Sequence, residues 1–223
     1  MVAIFKSDSV HLEKKKKDVF TMKIQWEGPT KSFWVNFPLQ KMDIVKQQFD
    51  GKNKLYTIEA KSIVTLKTFL DKETVEYKVA LYMLEDLGNQ FRTLDSFRIG
   101  VPFLNIEDII VVHNKNNKIY FFYMNDEKIF TLNNYSMMNI DKIFEKSKFI
   151  SPEFEKITSL PATLHSNSIA YSLAILVIFC YLGKYVNLEN KNEILAPLYY
   201  TKLYWALQRM LEADPSDRFT LVI

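Results

Sequence analysis

Residues able to do chemistry are sparse along this chain, and their spacing removes most of them. His11, His113 and His165 lie far apart, with no cysteine or aspartate beside them at metal-ligand spacing, so they read as surface or turn histidines. Ser166 and Ser168 lie beside His165, which suggests a serine nucleophile with its base. Side chains adjacent in sequence rarely face one another, however, so this stretch reads instead as a polar approach to a helix start. Cys180, the only cysteine, sits inside an apolar run; it reads as an inert buried thiol and excludes an intramolecular disulfide or a cysteine-rich metal site. A lone arginine, Arg218, ends the run "MLEADPSDR", just after a helix-ending Asp-Pro.

Phosphate chemistry built on backbone amides needs clustered glycines, and the five here (Gly28, Gly51, Gly88, Gly100, Gly183) are scattered. A net charge of +3 over 223 residues carries no concentrated basic face and argues against nucleic acid as a partner. The one basic run, "EKKKKD" from Glu13 to Asp18, reads as a solvated strand end or loop. Hydrophobic residues make up 48% of the chain, enough for a sizeable core. The longest apolar stretch, Ile169 to Gly183, is short for a bilayer span and suits a helix buried on all sides. "MVAIFKSDSVHLEKKKK" lacks the apolar core of a secretory signal, so with a single thiol the expected location is cytoplasmic.

The elements that would position these residues follow from pattern. "DVFTMKIQWEG" and "KSFWVNFPL" read as strands joined through "GPT", and "DIVKQQF" with "KLYTIEA" as a second pair across an Asp-Gly turn. "SIVTLKTFL" and "ETVEYKVALYMLEDLGNQFRTL" take helical spacing, with Val75, Val79, Tyr82, Met83 and Leu87 as the apolar stripe. "EDIIVVHNKNNKIYFFYMN" reads as two buried strands around an Asn-rich turn. Helices are expected over 169–183 and 196–213, after an irregular stretch from 132 to 161. Trp26, Trp34 and Trp205 read as core or packing residues. Strands first and helices later make an α+β chain.

From about Asp43 onward the order of segments resembles the protein kinase fold. "MDIVKQQFDGKNKLYTIEA" is similar to the strand pair leading to the hinge, with Glu59 at the hinge. "FLNIEDIIVV" resembles the end of the catalytic loop, "FISPEF" the Ala-Pro-Glu motif with Glu153 as its glutamate, and "AYSLAILVIFCYL" the buried central helix through Tyr171, Ser172, Leu173 and Ala174. "MLEADPSDR" is similar to the segment that supplies an arginine to that glutamate, so the resemblance implies an ion pair between Glu153 and Arg218. It also implies two lobes: a reduced β-rich N-lobe over 1–60 and a helical C-lobe over 61–223.

Phosphoryl transfer requires a lysine on the phosphates, metal-binding carboxylate and amide groups, and an aspartate for the acceptor hydroxyl. By the resemblance, "KSFWVNFP" stands where the lysine strand belongs and has no lysine in place, with hardly room before Asp43 for the helix that would carry its glutamate partner. The His-Arg-Asp motif falls on Val101, Pro102 and Phe103, the metal-binding asparagine on Asp108, and Asp-Phe-Gly on Tyr123, Met124 and Asn125. The aspartate opening the central helix falls on Ile169. Losing one such group costs powers of ten in rate. The expectation is therefore a pseudokinase, with no catalytic, metal or cofactor-binding residues, that acts on a protein partner such as an active kinase or its substrate. Its rivals are a divergent phosphotransferase using Asp108, Glu107 or Asp126, and an unrelated α+β structural protein. The residue usage fits an AT-rich viral or parasite genome.

Overall fold

The computed structural model describes residues 2–25, 33–145 and 147–218, with backbone alone for 33–36. The chain is α+β, and every strand pairing among the described residues is antiparallel. In chain order the first half runs β1 (Val2–Lys6), β2 (Val10–Lys16), β3 (Val19–Gln25), α1 (Phe33–Lys41), β4 (Ile44–Asp50), β5 (Asn53–Glu59), β6 (Ser62–Thr65), α2 (Leu66–Leu70) and α3 (Tyr77–Ser96). There follow β7 (Ile99–Gly100), β8 (Ile109–His113), β9 (Ile119–Tyr123), β10 (Phe130–Thr131), β11 (Met137–Ile140), α4 (Pro152–Glu155) and β12 (Ala162–His165). The chain closes on α5 (Ser168–Leu182), α6 (Lys191–Leu195) and α7 (Lys202–Met210).

Two compact units result, Met1–Glu73 with Ile106–Glu127, and Thr74–Asn105 with Lys128–Ile223. The boundary expected at residue 60 does not mark the division, because β6 pairs with β8 and β8 with β9, which draws the later hairpin into the first unit.

In that unit β1 to β5 form a sheet of order β1-β2-β3-β5-β4. Its period-2 alternation buries Val10, Leu12, Phe20, Met22, Ile24, Tyr56 and Ile58 on one face and leaves the other open. The β4–β5 turn forms within the expected stretch, its two residues being Gly51 and Lys52 between the paired Asp50 and Asn53, with Gly51 at φ +56°, a backbone region that glycine enters freely. Residues 33–41 are helical, not the expected strand: Phe37 of α1 packs edge-on against Phe122 of β9. The turn expected at Gly28–Thr30 lies outside the described residues, as does Trp26.

The second unit is organised by α5. Its residues from Ser168 to Ile178 are buried on every side, and Gly183 ends the helix in the left-handed region at φ +67°. Against α5 lies α3, whose buried stripe is Ala80, Met83, Leu84, Leu87, Phe91 and Leu94. Of the expected stripe only Met83 and Leu87 lie buried within α3: Val75 is buried before the helix begins, Val79 is half-buried and Tyr82 faces solvent. Trp205 is also not core; α7 buries Leu203, Ala206, Leu207 and Met210, so residue 205 falls on the opposite face and is 58% exposed. A Cβ on Gly100 would stand 2.7 Å from Leu132 Cδ2 and from Met138 Sδ, so any larger residue there displaces both side chains.

Candidate functional site

Three local structures bring together the best-built polar cluster. Ser151 caps α4, its hydroxyl accepting from the Phe154 amide, and Pro152 opens the helix, which fixes Glu153 in the first turn. Ser168 and Asn167 stand at the start of α5. A short turn at Asp214–Asp217, held by the Asp214 carboxylate accepting from the Ser216 amide at 2.8 Å, delivers Arg218.

Arg218 is 1% exposed and grips Glu153 with two prongs, Nη1 to Oε1 at 2.6 Å and Nη2 to Oε2 at 3.0 Å. Its Nε donates to the Glu212 carbonyl at 2.6 Å and Nη2 to the Ala213 carbonyl at 2.9 Å. The guanidinium lies 4.8 Å over the Tyr171 ring. Ser168 Oγ donates to Glu153 Oε1 at 2.7 Å, and Asn167 Nδ2 donates to the Arg218 and Pro215 carbonyls at 2.9 and 3.1 Å. Burial pushes the Glu153 carboxyl up, but the hydrogen bonds from Arg218 and Ser168 outweigh it and leave the group below its ordinary value. Burial likewise raises the Tyr171 hydroxyl to about 12. Sequence reasoning pairs Glu153 with Arg218 but misses Asn167, Ser168 and the Tyr171 ring beneath the guanidinium. Their contribution depends on a juxtaposition across about fifty residues that no local pattern reveals.

The positions that would carry phosphoryl transfer are built differently. Phe103 is fully buried, edge-on to Phe144 at 5.4 Å and tilted on Phe154 at 5.0 Å, with the Lys128 ammonium 4.9 Å from its ring. Ile169 is 9% exposed in α5 and offers no polar group. In the first unit, Asp108 is 5% exposed; its Oδ1 accepts from Asn125 Nδ2 at 2.7 Å and its carbonyl from the Met124 amide at 2.8 Å. Tyr123 is fully buried, and burial, then the nearby carboxylates of Asp108, Asp126 and Glu127, raise its hydroxyl well above the usual range. Asp126 is held by the β1–β2 turn: its Oδ2 accepts from the Ser9 amide at 3.1 Å and from the Ser9 hydroxyl. Glu107 pairs on the surface with Lys67, and Asp95 is exposed on α3. Among the described residues no three His, Cys, Asp or Glu side chains gather as a metal would need.

The helix over 33–41 changes where a phosphate-binding lysine would be sought. The strand before that helix is β3, not 31–38, and β3 does contain a lysine, Lys23. Lys23 is exposed, on the face opposite Met22 and Ile24, whereas Lys14 and Lys54 share the packed side, the one 5.9 Å from the Phe20 ring and the other 5.6 Å from the Phe49 ring. Room for a helix before Asp43 exists after all, and α1 fills it, but its sequence, FWVNFPLQK, has no carboxylate.

No protein-family model matches the chain, and no curated protein sequence matches it. Among the described residues no helix is long and apolar enough to cross a membrane.

Proposed function

We propose that this chain is a catalytically inactive protein kinase-like module, a pseudokinase with a β-rich N-lobe and a helical C-lobe, that regulates or scaffolds a protein partner. One contrast carries the reading. The two-pronged Arg218–Glu153 brace is complete, with its carbonyl, serine and aromatic supports, while the position resembling the catalytic aspartate holds Phe103 packed in an aromatic core. A phenylalanine can neither accept a proton nor orient a nucleophile. Lys14 and Lys54 on the packed sheet face stand over the Phe20 and Phe49 rings, and α1 has no carboxylate to pair with either, so the lysine–glutamate pair that grips phosphate has no counterpart there. The partner suited to such a module is an active kinase or its substrate.

The test is direct. Magnesium-ATP added to the purified chain should leave the melting temperature unchanged, and no phosphate should pass from ATP to a generic protein substrate. A melting temperature that climbs with ATP in a magnesium-dependent way, or transfer abolished by a single site substitution, defeats the reading. A second reading rests on the hydrogen-bonded Asp108–Asn125 pair with Asp126 two positions from Tyr123's carbonyl neighbour Met124: a phosphotransferase with carboxylate and amide in altered places. Asp108→Ala abolishing any such transfer would favour it.

A further inference from the structure

The open face of the five-stranded sheet has a chemistry that the pseudokinase reading does not use. Strand register sets Lys6 directly opposite His11, and His11 directly opposite Lys23, so three basic side chains from β1, β2 and β3 stand in one row. In the next row Gln25 faces Asn53 across β3 and β5. All five, with the turn residues Ser7, Asp8 and Ser9, line a single concavity of about 160 Å³. No salt bridge ties Lys6, His11 or Lys23 to a carboxylate among the described residues. The opposite faces of the same strands bury Leu12 and Met22, so the row points away from the packed side.

We propose that this concavity is a binding site for a single phosphate monoester group. Three cationic or donor groups converging from three strands match the three terminal oxygens of a monoester, whereas a carboxylate offers two oxygens and a diester one charge. The Gln25 and Asn53 amides supply further donors at the rim. The volume suits one phosphate, and the Asp8 carboxylate, which lines the same concavity, opposes any anion there and so works against the two lysines. The site faces away from the sheet's buried side and stands whether or not the chain is kinase-like.

The full chain, ¹⁵N-labelled, is titrated with inorganic phosphate and with phenyl phosphate, followed by amide shifts. Saturable binding of both is expected, with shifts centred on residues 6–11, 23–25 and 53. Lys23→Gln and Lys6→Gln should each weaken binding about tenfold or more, since each removes a charge-assisted hydrogen bond. Lys54→Gln, on the other face of β5, should leave it unchanged. Neither surface substitution should alter the melting temperature without phosphate. Three results would each overturn the proposal: titration without saturation, equal weakening in Lys23→Gln and Lys54→Gln, or binding of a heparin fragment in preference to phosphate with shifts spreading to Lys14–Lys17.

Discussion

Replacing Glu153 by alanine isolates the energetics of the brace. The Arg218 side chain has 0% of its surface exposed and that of Glu153 24%, so the substitution leaves a guanidinium buried without its counter-charge. Breaking a buried pair from one side costs about 3–5 kcal/mol. Arg218 would keep the Glu212 and Ala213 carbonyls and the Tyr171 ring, which places the expected loss at the lower end, about 3 kcal/mol. Glu153→Gln retains one acceptor and should lose about half as much. Urea unfolding followed by far-UV circular dichroism measures both. A double-mutant cycle with Arg218→Ala should give a coupling of about 2 kcal/mol. The sign of the pH dependence follows from the lowered Glu153 value. The stabilisation is fully present above the unfolded-state pKa, about 4.3, and drains away as pH falls through the lower folded value. A loss under about 1 kcal/mol with coupling near zero would mean that the pair behaves as a surface salt bridge, and the reasoning fails.

Two further outcomes test the packing. Gly100→Ala drives a Cβ into Leu132 and Met138, and should cost about 1–3 kcal/mol in the same unfolding assay; a neutral result would show that both side chains can retreat freely. Burial pushes the Cys180 thiol up to about 12, so alkylation by iodoacetamide at neutral pH should run more than about a hundredfold slower in the folded chain than in urea. Equal rates would place Cys180 in water.

Several features are legible before any coordinates, because they depend on residue identity or local period. The 3.6-residue stripe marks α3, the unbroken apolar run marks α5, and Asp-Gly marks the β4–β5 turn. The absence of an aspartate at 103 or 169 is likewise a property of the sequence alone. Residues 33–41 show where this kind of reading stops. Their aromatic and β-branched composition with Pro38 suggests a strand, yet a contact between Phe37 and Phe122, some eighty residues away in sequence, belongs to a helix. Local propensity is worth tenths of a kcal/mol per residue, and long-range packing overrides it.

The sequence by itself determined which groups are absent, the helices α3 and α5 and the β4–β5 turn, and, through the resemblance, the candidates Glu153 and Arg218. Only the tertiary structure decided that Ser168 and Tyr171 join that pair, and that Lys23 turns outward to meet Lys6 and His11. Alternation along a strand tells which side chains share a face, but not which face the rest of the chain will cover. That choice is made by the residues that pack on it, and they lie elsewhere in the sequence.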